Sequence, residues 1–215
     1  FLRWLEWTGK RVDYLSQSDL EAVRNPAALS RLYDLMVFAG HHEYVTEHEY
    51  DLVEGYRDLG GNLLFLSANN FFWRVDRHDD TIVRRGRWRD VGRPEASLVG
   101  VQYVAHQRAP RGGWVVRPSS ARSWLFAGTR LRIGARFGRG GVEIDQITPA
   151  SPAEVQVVAE IPDLFGPGKS AQMTYYKTRA GAKVFAAGAF HLARDATSDP
   201  VIWRMLENLW ARMTS

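Results

Sequence analysis

The sequence contains no cysteine among its 215 residues. That absence excludes disulfide staples, thiolate metal sites and a Cys–His nucleophile. It leaves the compartment open, because a chain without thiols tolerates reducing and oxidising surroundings alike. Long apolar runs are missing as well, since no stretch approaches the roughly eighteen residues that span a bilayer. No membrane partner is expected on that ground, and a cytoplasmic location is favoured. No leader peptide is visible either. Residue 1 is Phe, and Phe1-Leu2-Arg3-Trp4-Leu5-Glu6-Trp7 already reads as helix, so the chain is expected to begin partway through a longer polypeptide.

A strong excess of one charge is also lacking. Lys and Arg number 28 against 24 Asp and Glu, a net charge of +4. Much of the basicity lies between positions 74 and 93, in Arg74, Arg77, Arg84, Arg85, Arg87, Arg89 and Arg93. Acids alternate with them (Asp76, Asp79, Asp80, Asp90, with Glu95 just beyond), and no RRM, KH, helix-turn-helix or zinc-finger pattern accompanies them. The stretch reads as a solvated excursion, and no nucleic-acid partner is expected.

What is present suits one globular domain: 45% hydrophobic and 24% charged residues. Residues 1–8 read as an amphipathic helix stopped at Gly9, residues 11–15 as a strand, and residues 19–23 as a helical turn. The apolar run Tyr33-Asp34-Leu35-Met36-Val37-Phe38-Ala39 ends at Gly40 and reads as a strand buried on both faces. Thr46 with Glu49 three residues on predicts a capping box. Leu52, Val53, Tyr56 and Leu59 follow at helical spacing, and Gly60-Gly61 ends the helix. Leu63-Leu64-Phe65-Leu66 is a second buried strand, which completes a strand–helix–strand crossover. Residues 71–132 lose periodicity and read as an irregular, Arg-rich, β-like insertion beside the sheet. Strands return around positions 142–145, 154–161, 173–177 and 183–187. A helix opened by Asp199-Pro200 carries the stripe Ile202, Met205, Leu206, Leu209, Trp210, Met213. The expected fold is α/β, a doubly wound and mostly parallel sheet of flavodoxin-like type, with residues 1–215 one domain and 71–132 an insertion within it.

Ligands in such sheets sit at the carboxyl ends of the parallel strands. There the sequence places Gly40-His41-His42-Glu43-Tyr44, and the following strand should deliver Ser67-Ala68-Asn69-Asn70 to the same crevice. Alternation turns His41 and Glu43 toward one centre, and an imidazole beside a carboxylate suits iron or zinc, or a general base held by a partner. His42, His191, Glu143 and Asp145 are further candidates at that edge. Sharper motifs are excluded: HExxH would need His where Thr46 stands, Gly166-Pro167-Gly168-Lys169-Ser170 lacks the opening glycine of a P-loop, and no G-x-S-x-G elbow exists.

Several of these segments together resemble a known family. Phe38-Ala39-Gly40-His41-His42-Glu43-Tyr44, Gly60-Gly61-Asn62-Leu63-Leu64-Phe65-Leu66 and Asn69-Asn70-Phe71-Phe72-Trp73-Arg74 are similar to the C-terminal domain of the N,N-dimethylformamidase large subunit. So are Phe126-Ala127-Gly128-Thr129, Val142-Glu143-Ile144-Asp145, Gly181-Ala182-Lys183-Val184-Phe185-Ala186-Ala187-Gly188 and Glu207-Asn208-Leu209-Trp210. The resemblance implies a class I glutamine-amidotransferase-like fold and a mononuclear iron site that hydrolyses a small amide. It implies Glu43 as a metal ligand and His41 close to the metal as base or proton donor. Asn69, Asn70 and Tyr44 then orient the substrate, and the other ligands are tyrosines expected upstream of residue 1. Other domains or subunits of a larger assembly are the implied partners, and the aromatic load makes a homo-oligomer plausible. The alternative is a non-catalytic domain of the same fold, serving assembly or carbohydrate and cell-surface binding, which eight tryptophans and eight tyrosines would suit.

Overall fold

Local capping signals locate the helices. In the computed structural model, which describes residues 1–215, α1 (Leu2–Trp7) is followed by α2 (Gln17–Ala22). Ser16 and Asp19 close a reciprocal capping box on α2, and Asn25 caps α3 (Pro26–Ser30), with proline inside its first turn. Residues 11–15, expected as a strand, belong to no regular element.

Strand β1 (Leu35–Phe38) leads through the Gly40 loop to a two-residue strand, β2 (Tyr44–Val45), and to α4 (Glu47–Asp58). Next come β3 (Asn62–Phe65), β4 (Trp73–His78), β5 (Thr81–Arg87) and α5 (Glu95–Val99). The chain continues with β6 (Gln102–Val116), α6 (Arg122–Leu125), β7 (Arg136–Gln146) and β8 (Gln156–Ile161). It ends with β9 (Ala171–Lys177), β10 (Lys183–Ala186), β11 (Ala189–Phe190) and α7 (Pro200–Met213). Asp199 caps α7 by accepting from the N–H groups of Val201 at 2.8 Å and Ile202 at 3.2 Å.

Eight strands form one sheet in the order β1-β3-β10-β9-β8-β6-β7-β11, and β2-β4-β5 form a second. The strand–helix–strand unit expected around α4 is present, since β1 pairs with β3 in parallel and β10 pairs with β3 in parallel. The wider expectation of a doubly wound, mostly parallel sheet is overturned. Every other pairing in the large sheet is antiparallel. The large sheet is therefore mixed and predominantly antiparallel, and neither a flavodoxin-like nor a glutamine-amidotransferase-like description fits it. Apolar periodicity marks a strand as buried but does not report the direction of its neighbours, so one parallel crossover was extended too far.

The supposed insertion fares similarly. Its first part makes β4 and β5, while its later part is β6, a 15-residue strand inside the main sheet. The β6–β7 register slips between Tyr103 and Ala105, between Gln107 and Arg111, and between Gly112 and Trp114. Each slip breaks the period-two pattern, which is why the sequence there looks irregular.

Helices on both faces of the large sheet enclose two cores. One gathers Trp4, Trp114, Phe185, Ile202, Met205 and Leu209 beneath α1 and α7. The other gathers Tyr50, Val53, Tyr56, Trp88, Leu98 and Tyr176 around α4 and α5. Strand β3 feeds both, with Leu64 in the first and Leu63 and Phe65 in the second, as a pleated strand must when both faces are covered. By contrast β1 is only partly buried along most of its length, because it is an edge strand with a partner on one side. A groove of about 520 Å³ runs along that edge, lined by Leu2, Leu15, Leu32, Leu35 and Val37 and reaching His41 and His42 at one end. No helix is long and apolar enough to cross a membrane.

Candidate functional site

The loop after β1 is stitched to the segment after β3 by backbone and side-chain hydrogen bonds. Ser67 Oγ donates to the carbonyl of Gly40 at 2.7 Å, and the amide of His42 donates to Asn70 Oδ1 at 3.3 Å. The amides of Phe71 and Trp73 donate to the carbonyls of His42 at 2.7 Å and Glu43 at 2.8 Å. Topology and these bonds together bring residues 40–44 and 67–73 to one edge, where the sequence places 40–44 and 67–70.

Within that edge His41 and Glu43 share a centre with a third group. His41 Nε2 lies 3.6 Å from Glu43 Oε2 and 3.4 Å from Glu143 Oε2, and its ring meets Phe190 edge-on at 5.1 Å between centroids. Asn69 Nδ2 donates to Glu43 Oε1 at 2.8 Å. The side chains of Glu43 and Glu143 are only 16% and 15% exposed, so their mutual field with the imidazole is weakly screened. Two buried acceptors here, Asn69 Oδ1 and Glu143 Oε2, have no hydrogen-bond partner. Buried polar atoms are nearly always paired, so two unpaired acceptors at one edge mark a place where a donor or cation is wanted.

An acidic layer lies behind this centre. Asp145 is buried, and burial pushes its carboxyl up to about 8; the Asn69 N–H opposes the shift, and the charges of Glu95 and Glu143 add to it. Glu95 is likewise raised by burial even though Arg89 contacts it. Burial raises the Tyr103 phenol, and the acids Glu143, Glu43 and Asp145 reinforce the shift.

The other expected residues divide. His42 turns away from His41: its Nε2 sits 2.5 Å from Glu49 Oε1, and its ring packs against Phe38 and Phe71. Glu49 therefore does not complete the capping box expected on α4. Thr46 Oγ1 accepts from the Glu49 amide, but the Glu49 carboxylate goes to His42 and Gln17. Asn70 donates to the Ser67 carbonyl at 3.2 Å and accepts from His42, which ties the loop together. Tyr44 stands at the start of β2 and is exposed. His191 follows Phe190, has a left-handed φ of 92°, and keeps a buried Nδ1 without a partner. Its pKa is lowered by burial first, then by Arg111 and Arg194. Tyr103 and Phe190 were not singled out from sequence, because each lies in a stretch without a motif.

A metal fits this edge in part. Carboxylate and imidazole donors suit iron chemically, and the unpaired Glu143 Oε2 is the kind of buried oxygen a nearby cation compensates. No group of three or more His, Cys, Asp or Glu side chains is arranged to hold a metal ion. Glu43, the ligand that the resemblance implies, is therefore not backed by a full set of such donors from this chain.

The geometry defines a mixed-sheet protein with an acid–base centre of one imidazole and two carboxylates where its parallel strands end. The family model of the N,N-dimethylformamidase beta subunit-like C-terminal region matches residues 1–197, and the chain belongs to that family. Among curated proteins it is similar to the N,N-dimethylformamidase beta subunit of an Alcaligenes species, with 26% identity over 245 aligned positions. The match takes in 86% of this chain and 32% of that relative, so the chain spans about a third of the relative's length.

Proposed function

We propose that this chain carries the acid–base part of a hydrolase that cleaves the C–N bond of small amides. The observation behind this reading is the convergence of His41, Glu43 and Glu143, with Asn69 bonded to Glu43, at the carboxyl end of β1 and β3. Family membership supports this reaction class, and the relative's printed name suggests dimethylformamide as the first substrate to test.

In this reading His41 takes a proton from water as the water attacks the amide carbonyl, and later returns a proton to the leaving nitrogen. The products are a carboxylic acid and an amine, which exchange the remaining proton in water to give carboxylate and ammonium. Glu143 faces the same imidazole nitrogen and stabilises its protonated form between the two transfers. Asn69 orients Glu43 through its amide hydrogen, while its Oδ1 is buried without a hydrogen-bond partner. Glu43 would contribute a ligand to iron, which when bound would supply Lewis-acid chemistry toward the carbonyl and the water.

The test is iron content together with amine release from dimethylformamide, formamide and acetamide, using the longest natural form of the chain and its Glu43→Ala and His41→Ala variants. Near-stoichiometric iron lost in Glu43→Ala, with amine release lost in both variants, supports the reading. Amine release unaffected by either substitution sinks it. A second reading, a non-catalytic assembly domain, is favoured by the apolar groove along the β1 edge and by exposed Leu2, Trp7 and Leu32 beside it. It predicts no metal and loss of subunit association when the groove is made polar.

A further inference from the structure

We propose that Asp145 is a positioning residue for this centre, acting through Asn69 on the carboxylate of Glu43. Its functional weight rests on the hydrolase reading above, whereas its geometry stands independently.

Three links make the connection. Both Asp145 oxygens receive the backbone N–H of Asn69, at 3.0 and 3.1 Å. Asn69 holds a left-handed φ of 55°, a conformation that asparagine tolerates better than most residues but adopts only when something fixes it. With its backbone fixed so, the Asn69 carboxamide reaches Glu43 Oε1 at 2.8 Å. Asp145 is itself held from behind, because its amide donates to the Gly188 carbonyl at 2.9 Å. Gly188 has a φ of 67°, and a Cβ there would stand 2.0 Å from the Gln172 carbonyl oxygen, so only glycine fits. The anchor therefore runs from the β9–β10 side of the sheet, through β7, to the catalytic edge.

Energetics argue that this carboxyl is kept for placement. A carboxyl buried this deeply costs stability unless it is paired, and the only donor to its oxygens is the Asn69 N–H. Arg89, the cation whose field reaches it, contacts Glu95 and lies 3.4 Å from the Tyr103 carbonyl. A costly group whose single partner is the backbone of a site residue is accounted for by what it positions.

The test uses the ¹⁵N-labelled chain and its Asp145→Ala, Asp145→Asn and Glu43→Ala variants, with near-UV circular dichroism as the check on folding. In Asp145→Ala the Asn69 backbone amide should exchange about tenfold faster or more, the scale of one lost hydrogen bond. The Asn69 carboxamide resonances should move to where Glu43→Ala puts them. Asp145→Asn keeps one acceptor oxygen and should hold both signals near wild type. Wild-type carboxamide resonances in Asp145→Ala, or displaced ones in Asp145→Asn, overturn the proposal and leave Asp145 a plain loop anchor. Should Asp145→Ala lose its near-UV signal, Asp145→Ser, too short to reach the amide, takes its place in the comparison. Neither readout needs amide hydrolysis, so failure of the hydrolase reading would be seen separately.

Discussion

Strand β3 has a buried asparagine close to each end, and the two are treated in opposite ways. At the start, Asn62 Nδ2 donates to the carbonyls of Asp34 at 2.9 Å and Met213 at 2.7 Å, while its Oδ1 accepts from the Lys183 amide at 2.8 Å. One carboxamide thereby joins the entry to β1, the end of α7 and the start of β10. Beyond the far end, Asn69 gives one hydrogen to Glu43, leaves Oδ1 bare and sits in a strained backbone region. One end of the strand uses its polar groups to close the fold. The other leaves buried polar atoms without hydrogen-bond partners, a cost to stability that the proposed function would account for.

The largest effects should come from the unpaired end and appear in activity. Glu43→Gln keeps shape and removes charge, and amine release should fall about a hundredfold or more, the scale of a lost acid–base or metal contact. Its urea midpoint should stay close to wild type, because Glu43 contributes little to either core. Unfolding of Glu43→Gln would erase the distinction between the ends. The mirror experiment is Asn62→Ala, which strands the Met213 carbonyl and the Lys183 amide, while the Asp34 carbonyl keeps the backbone N–H of residue 62, and should cost about 2–4 kcal/mol in urea unfolding. Asn69→Gly should cost about 1 kcal/mol, since one hydrogen bond is lost while glycine adopts the left-handed φ freely. Equal costs at the two positions would break the comparison.

The two ends also differ in how far the sequence discloses them. Capping residues and helical stripes announce α4 and α7, and an unbroken apolar run announces β3, because those signals are local. The turn after β1 was legible for the same reason, and with it the pairing of His41 with Glu43. Glu143 joins them from 100 positions away through an antiparallel strand, and no local pattern reports that contact. Sequence likewise cannot separate Asn69 from Asn70, and it favours His41 over His42 only through alternation with Glu43. The separation comes from the left-handed φ at Asn69 and from the Phe38–Phe71 slot that takes the His42 ring. Strands around 142–145, 154–161, 173–177 and 183–187 are legible, but their direction is not, and the bulges between β6 and β7 hide β6 by scrambling the alternation that identifies strands.

A smaller effect should appear in the pH dependence of stability. Burial holds the Asp145 carboxyl at about 8 in the folded protein, against roughly 3.9 for an unfolded aspartate. Between those values the folded state keeps a proton that the unfolded state has released. Stability from this group is therefore fully present below about pH 4 and declines as pH rises through 8. Glu95, raised by burial as well, adds a slope of the same sign. Asp145→Asn should flatten part of the decline, so its urea midpoint should gain on wild type between pH 5 and pH 8. An identical pH slope in the two proteins would mean that Asp145 is ionised in the fold and that another group compensates it.

The smallest effect belongs to the second sheet, where arginines are many and function is not expected. There the cations are matched locally: Arg85 pairs with Asp76 at 2.7 Å, Arg87 with Asp90 at 2.8 Å, and Arg93 with both Asp51 and Glu54. Arg84 instead lies over the Trp73 ring, 4.3 Å from its centroid, on the open face of the β4–β5 hairpin. An exposed cation–π contact is worth about 0.5–1 kcal/mol. Arg84→Ala should lower the urea unfolding free energy by no more than that and leave amine release unchanged. The contrast with the candidate site is in pairing: charges here have partners and solvent, while Asn69 Oδ1 is buried without a hydrogen-bond partner. A loss of activity in Arg84→Ala would mean that the hairpin reaches the substrate, and the boundary between functional edge and solvated excursion would move to include it.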